Sequence, residues 1–272
     1  APSRGLGDVY KRQNLTQGIP GKWNNFANYT RLWDSGKLQS AAGITIFFVF
    51  VTVLLTFIVS MTLALILNTK IVGARFLRSI MMIPWVIPTV IAGLLWAWIY
   101  ANPYGLLQYL VSIFSGGKIT GFGILNNQST ALWGIIIAAL WKQIPLMALL
   151  LLSGMQSIPD DMLEAAKIDG ANHFQIFWKI LLPNTKSSMT TLGIYTFISA
   201  WNNLIWMLLS VRSEGKWTVT LGISSICGAS VIKQPTWNLI MGVIVIGMIP
   251  VLILFFAFQK YFMQSVAATG IK

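Results

Sequence analysis

Four of the seven acidic residues in the chain fall within ten consecutive positions. Clustered carboxylates can hold a metal ion or move protons, but such sites usually recruit histidine or cysteine as well. The chain has one histidine, His173, and one cysteine, Cys227, and it contains no GxxxxGKS/T phosphate loop. We therefore predict no catalytic residue, no metal site and no cofactor, and we expect a carboxylate of the cluster to pair with a basic partner. The cluster is Asp160, Asp161, Glu164 and Asp169.

A second group of residues with chemical potential lies inside an apolar stretch late in the chain. Buried amides need hydrogen-bond partners in hydrocarbon, so they must face protein or a water-filled path. At about 100° per residue, positions 195, 199 and 202 share one helix face, and position 203 is also four residues from 199. Amide hydrogen bonds with aromatic stacking suit sugars, which makes the group a candidate substrate pathway; the alternative is that it binds neighbouring helices. The group is Tyr195, Ser199, Trp201, Asn202 and Asn203.

Composition indicates which elements must position these residues. Of the 272 residues, 56% are hydrophobic and 10% are charged, whereas soluble domains carry about 25% charged residues. Membrane lipid is therefore the expected solvent. The net charge of +12 is scattered between apolar blocks, and the absence of a basic stripe argues against nucleic-acid binding. We predict an all-α integral membrane protein, a polytopic helical bundle with five spans at residues 41–67, 79–100, 131–154, 189–210 and 237–258.

Several predicted spans contain proline, which removes a backbone donor and kinks a helix. These prolines indicate either packing geometry or a hinge or pore lining, and both interpretations remain open. A shorter apolar stretch at 104–114 predicts an interfacial helix on the membrane surface. The prolines are Pro84, Pro88, Pro145 and Pro250.

The loop between the first two predicted spans sets the orientation. It carries Lys70, Arg75 and Arg78, and cytoplasmic loops are enriched in lysine and arginine. Alternation from that loop gives an extracytoplasmic segment at 14–40, a transmembrane domain at 41–258 with a cytoplasmic loop at 155–187, and a cytoplasmic tail at 259–272.

The first thirteen residues differ in character from the rest. They have no starting methionine and no signal-peptide core, and they resemble translated sequencing-adapter read-through. We expect residues 1–13 to be a non-native leader and an additional span to precede residue 14 in the native protein.

The acidic cluster falls in a loop with its own helix signals. Pro159 suits a first helical turn, and the acids after it favour the positive end of a helix. Gly170 is a natural stop, because glycine accepts a left-handed conformation. Asn172 with Gln175 is typical of a capping box. We therefore predict two short helices that meet at Gly170, the second of them ending at Pro183.

This loop resembles the EAA loop of ABC importer permeases, which is the coupling helix that docks on the ATP-hydrolysing subunit in that family. The resemblance lies in the Glu-Ala-Ala sequence, the glycine four residues later and the Ile-Leu-Leu-Pro that follows. It implies that the ATPase-coupling loop comprises Glu164, Ala165, Ala166, Asp169, Gly170 and Pro183.

The resemblance extends over residues 14–272 and is to the maltose-type, carbohydrate-uptake permeases. It includes Ile83-Pro84-Trp85-Val86-Ile87-Pro88 and Ser157-Ile158-Pro159. It implies the type I ABC importer permease fold, normally with six spans, and a multi-pass protein of the bacterial inner membrane. The implied partners are a second permease subunit, two ATPase subunits that use the ATP, an extracytoplasmic solute-binding protein and a sugar.

Two alternatives remain open at this point. The first is an ABC permease for another solute, such as a peptide or amino acid. The second is a secondary transporter that works alone, a class that commonly places ionisable residues within its spans. Lys142 is the one candidate for that role, and no acid lies within the predicted spans to relay protons.

Overall fold

The fold is helical throughout the described part of the chain. The computed structural model describes residues 27–34, 36–69, 72–119, 121–125, 128–210, 217–232 and 237–270, and no strand occurs within these ranges. Four helices are long and apolar enough to cross a membrane, and the number rises to five if one bent pair is a single span. The all-α, polytopic prediction is confirmed. The predicted leader at 1–13 and the beginning of the predicted segment 14–40 lie outside the described residues.

The described chain forms two compact units. The first contains the described residues up to 47 and those from 217 to 253. Within it, the hydroxyl of Thr45 donates to the Ala41 carbonyl at 2.7 Å and accepts from the Val219 amide at 2.9 Å. That second bond satisfies one of the amides that a helix start leaves unpaired. Its helical segments are α1 (Ala27–Asp34), the start of α2 (Lys37–Leu67), α13 (Val219–Ile232) and the first half of α14 (Trp237–Gly270).

The second unit contains residues 48–210 and the described residues from 254 onward. Its buried core includes Met61, Leu151 and Met155, which bring together the end of α2 and the long helix α7. The remaining helices belong to this unit: α3 (Ala74–Met81), α4 (Ile83–Val86), α5 (Thr89–Ile99), α6 (Leu106–Phe114), α7 (Gln128–Gln156), α8 (Asp160–Ile168), α9 (His173–Ile176), α10 (Leu182–Asn184), α11 (Lys186–Trp201) and α12 (Ile205–Ser210).

The second predicted span is not one helix. The segment Ala74–Val86 and the segment Thr89–Ile99 meet at an angle of 90°. Between them, Ile87 and Pro88 have extended backbones, with ψ of 129° and 137°. The reason is local, because Pro88 has no N–H to continue the helix and disfavours helical geometry at the residue before it. Pro145, by contrast, lies inside the continuous helix α7.

Three other boundaries differ from the predictions. The fourth span is interrupted, since α11 ends at Trp201 and α12 begins at Ile205. The predicted tail at 259–272 is helical as far as Gly270, because a helix need not stop where its apolar character stops. The predicted outer loop contains α13, whose 14 residues would extend only about 21 Å and are too few to cross a bilayer. A helix is present at Leu106–Phe114, within the stretch 104–114 for which an interfacial helix is predicted.

Candidate functional site

The first candidate site is the predicted coupling loop, residues 155–187, and its first helix ends as predicted. Helix α8 stops at Ile168, and Gly170 has a φ of 80°. The Ala171 amide donates to the Ala166 carbonyl at 2.9 Å, and the Gly170 amide donates to the Lys167 carbonyl at 3.0 Å. This pair of bonds is a Schellman motif, which needs a left-handed residue at the position of Gly170.

The second half of the loop begins with the predicted capping box. The Asn172 amide donates to Oε1 of Gln175 at 2.9 Å, and the Gln175 amide donates to Oδ1 of Asn172 at 2.8 Å. The helix continues through a π-helical turn, Phe177–Leu181, and through Pro183 to Asn184. The prediction that Pro183 ends this helix is therefore wrong by one residue: proline lacks an amide hydrogen, but its φ is compatible with helix.

Packing gives the loop an inner and an outer face. Leu163, Ala166, Ile176 and Leu181 contact or belong to the hydrophobic core that α2 and α7 share. The outer face carries three of the four clustered acids together with large apolar side chains. Its exposed members are Asp161, Met162, Glu164, Ala165, Ile168, Asp169, Phe174 and Trp178. An exposed surface of this mixed character is suited to binding another protein.

The two alanines of the predicted motif therefore have different surroundings. Ala165 is exposed, whereas Ala166 is partly buried against the core. We expect Ala166→Leu to lower the free energy of unfolding by about 1–3 kcal/mol through overpacking. We expect Ala165→Leu to change it by no more than about 0.5 kcal/mol.

Thermal unfolding of the two purified variants measures this difference, and Ala165→Leu serves as the matched control for Ala166→Leu. Equal destabilisation by both substitutions would contradict the assignment of inner and outer faces.

The second candidate site is a cleft of about 450 Å³ between α4, the start of α5, α7 and the end of α11. Four of the five predicted pathway residues line it. Trp201 does not, because its side chain is buried and stacks on Phe197 with a ring-centroid distance of 5.8 Å. The lining residues from the predicted group are Tyr195, Ser199, Asn202 and Asn203.

The interruption of the fourth span exposes polar groups to the cleft. Asn202 is the residue after the last helical position of α11, and its side-chain amide donates to the Ile198 carbonyl at 3.1 Å. Across the cleft, Nε2 of Gln143 donates to Oγ of Ser199 at 3.2 Å. Oε1 of Gln143 has no hydrogen-bond partner among the described residues. The cleft therefore offers amide and hydroxyl groups beside the exposed ring of Tyr195, which is half exposed.

Sequence reasoning missed the other wall of the cleft. Trp85, Ile87, Pro88, Lys142 and Gln143 all line it. The prolines of the second predicted span, Pro84 and Pro88, indicate this wall, since a pore lining is one interpretation of prolines within a span. Lys142 is, in the sequence, the one charged residue within a predicted span, and no pattern pairs it with residues more than fifty positions earlier.

Apolar spans around a polar cleft are typical of a membrane transport protein. The chain belongs to the family of binding-protein-dependent transport system inner membrane components, whose family model matches residues 57–268. This confirms the resemblance to ABC importer permeases and the location in the inner membrane.

Relatives of known role point to the same family. The trehalose/maltose transport system permease protein MalF of Thermococcus litoralis is 38% identical over 173 residues, which are 64% of this chain and 58% of that protein. The sulfoquinovosyl glycerol transport system permease protein SmoG of Agrobacterium fabrum is 31% identical over 187 residues, which are 69% of this chain and 60% of that protein. The matched region thus spans about three fifths of each relative's length.

Solved structures confirm the fold. A chain of a bacterial ABC transporter involved in the import of the acidic polysaccharide alginate superimposes with a TM-score of 0.77 at 17% identity, covering 95% of this chain and 89% of that chain. A chain of the alginate transporter in complex with a periplasmic protein bound to an alginate pentasaccharide gives a TM-score of 0.74 at 17% identity, over 94% and 88% of the two chains.

Proposed function

We propose that this chain is the permease subunit of a binding-protein-dependent ABC importer and forms half of the membrane pathway for a sugar or oligosaccharide. The observation that carries the proposal is the cleft, where hydroxyl, amide and aromatic groups meet between apolar helices. Protein sites for sugars combine those groups, and buried amides in a bilayer otherwise need protein partners. Relatives named for trehalose, maltose and sulfoquinovosyl glycerol transport support the sugar class.

Energy would come from partners. The chain has no phosphate loop, so ATP would be bound and hydrolysed by two separate ATPase subunits and the chain would hold no cofactor. The exposed acids and apolar side chains of the coupling loop would form their docking surface. A second permease subunit would complete the pathway, and an extracytoplasmic solute-binding protein would deliver the substrate.

Thiol labelling tests the pathway. With the native Cys227 replaced by serine, we expect Ser199→Cys and Asn202→Cys to react with a water-soluble thiol reagent in the assembled transporter, because both positions line the cleft. Maltose, trehalose and sn-glycerol 3-phosphate, offered with the binding protein, are the first protectants to try. A transported solute should slow the labelling by about tenfold if it occupies nine tenths of the sites.

Thr196 provides the matched control on the same helix. Its side chain is 1% exposed and donates to the Leu192 carbonyl at 2.8 Å, so Thr196→Cys should remain unlabelled. If Ser199→Cys and Asn202→Cys also stay unlabelled in every nucleotide state while transport is intact, these residues serve helix packing and the cleft is not the pathway.

A further inference from the structure

The broken second span leaves backbone carbonyls facing the cleft. The segment Ala74–Val86 ends at the bend, because Ile87 and Pro88 have extended backbones that do not continue the helix. The last carbonyls of any helix lack partners within it and carry its negative partial charge. Trp85, in this last turn, and Ile87, the residue directly after it, both line the cleft.

Among the described residues, one side chain of the neighbouring helix donates to the carbonyls of both Trp85 and Ile87. Nζ of Lys142, on α7, donates to the carbonyl oxygen of Ile87 and to that of Trp85, the latter at 3.3 Å. The ammonium therefore lies where two carbonyl oxygens converge. It has three N–H donors, and these bonds use two of them.

Carboxylates do not supply the countercharge for this ammonium. No aspartate or glutamate occurs in the sequence between Asp34 and Asp160, or between Asp169 and Glu214. Among the described residues, Lys142 makes no ion pair. The positive charge of Lys142 is therefore compensated by carbonyl dipoles at a helix end. Backbone carbonyls at such positions also bind monovalent cations in membrane proteins.

We propose that the Trp85 and Ile87 carbonyls form a monovalent-cation site whose permanent occupant is the tethered ammonium of Lys142. The ammonium stabilises the break in the second span and makes the cleft wall independent of sodium or potassium in solution. The contacts favour a role of Lys142 in binding an anionic solute less, because two of its three N–H donors already bind backbone carbonyls. The inference concerns the wall of the cleft and holds whichever solute is transported.

The test is chemical rescue of Lys142→Ala in the complex with its partner subunits. Thermal unfolding is measured in choline, sodium, potassium and methylammonium chloride at equal ionic strength. We expect the melting temperature of the unmodified protein to be the same in all four salts. In choline, Lys142→Ala should melt about 2–4 °C lower, because two partly exposed carbonyl oxygens lose their donor. Potassium or methylammonium, which are small enough to enter the vacated space, should restore most of the loss.

Two controls separate rescue from general effects. Lys142→Met fills the space without a charge and should show the loss with no rescue by any cation. Lys118→Ala removes an exposed lysine from a loop and should show neither loss nor rescue.

Several outcomes would overturn the proposal. The first is that Lys142→Ala has the same melting temperature as the unmodified protein in choline. The second is that Lys142→Ala lowers the melting temperature by the same amount in all four salts. The third is that potassium or methylammonium raises the melting temperatures of Lys142→Ala and Lys142→Met equally. If Lys142→Ala cannot be purified in any salt, Lys142→Ser is measured in the same way. A Ser variant whose melting temperature does not differ between choline and potassium would also refute the site.

Discussion

Gly170→Val is expected to reduce co-purification of the ATPase subunits by about tenfold or more, while the chain still inserts into the membrane. Gly170 has a φ of 80°, and no atom of a described residue beyond its two chain neighbours lies within 4 Å of the position that a Cβ would occupy. The free-energy cost of Gly170→Val therefore comes from the backbone conformation and not from steric crowding. A left-handed backbone costs an ordinary L-residue about 1–2 kcal/mol, and more for a β-branched one. Each 1.4 kcal/mol corresponds to about a tenfold change in an equilibrium.

The expected damage lies in the angle between the two helices of the coupling loop. Relief of the strain requires a different backbone at Gly170, and that change breaks the amide bonds of Gly170 and Ala171 to the end of α8. The exposed side chains on either side, such as Ile168 and Phe174, would then no longer form one surface for the partner. The measurement is affinity purification of the tagged chain with its ATPase subunits, followed by their ATP hydrolysis in proteoliposomes.

Gly193 offers a matched control for this substitution. A Cβ at Gly193 also meets no atom within 4 Å from a described residue outside its own stretch of helix, but its backbone is ordinary helix within α11. We expect Gly193→Val to leave the amount of co-purified ATPase unchanged. Normal assembly and ATP hydrolysis with Gly170→Val would exclude this turn from coupling.

Gly105→Ala is expected to cause the largest loss of stability of any single methyl addition considered for this chain. A Cβ there would lie 2.3 Å from the Ala101 carbonyl oxygen and 2.6 Å from that of Ile99. Both contacts are with backbone, so no side-chain rotation relieves them. We expect a loss of about 3 kcal/mol or more in the free energy of unfolding, which corresponds to a fall of at least about 6 °C in melting temperature.

The affected turn supports the helix that follows it. The Gly105 amide donates to the Ala101 carbonyl at 2.8 Å, and the Gly105 carbonyl accepts from the Tyr109 amide at 3.1 Å at the start of α6. Thermal unfolding in detergent, with size-exclusion chromatography of the extract, measures the effect. Gly43→Ala, in the open helical position of α2, should be neutral or slightly stabilising. A melting temperature for Gly105→Ala equal to that of Gly43→Ala would show that the turn adapts without cost.

The features that the sequence determined are those with local causes. Apolar blocks of about 20 residues predict spanning helices because the bilayer requires that length and internal hydrogen bonding. The stop at Gly170 and the capping box of Asn172 and Gln175 depend on atoms a few residues apart, and both are present. The break near Pro88 was likewise signalled by the missing amide of proline.

Other features depended on contacts between distant segments. The helical period places Ala165 and Ala166 about 100° apart, but it does not say which of them faces the core. Trp201 belongs to the same polar stretch as Asn202, yet its ring packs against Phe197 and only the asparagine lines the cleft. The side that each residue presents follows from which helices surround α8 and α11, and no local pattern encodes that arrangement.

Lys142 shows the difference most clearly. From the sequence it is an isolated charge in an apolar block, for which no acidic partner exists in the spans. The structure provides a partner of another kind, because the bend at Ile87 and Pro88 turns the end of one helix toward α7 and presents carbonyl oxygens to the ammonium. Local chemistry favours a break at Pro88, although Pro145 lies inside a continuous helix. The direction of the bend was decided by packing between helices, because a missing hydrogen bond permits a bend without orienting it.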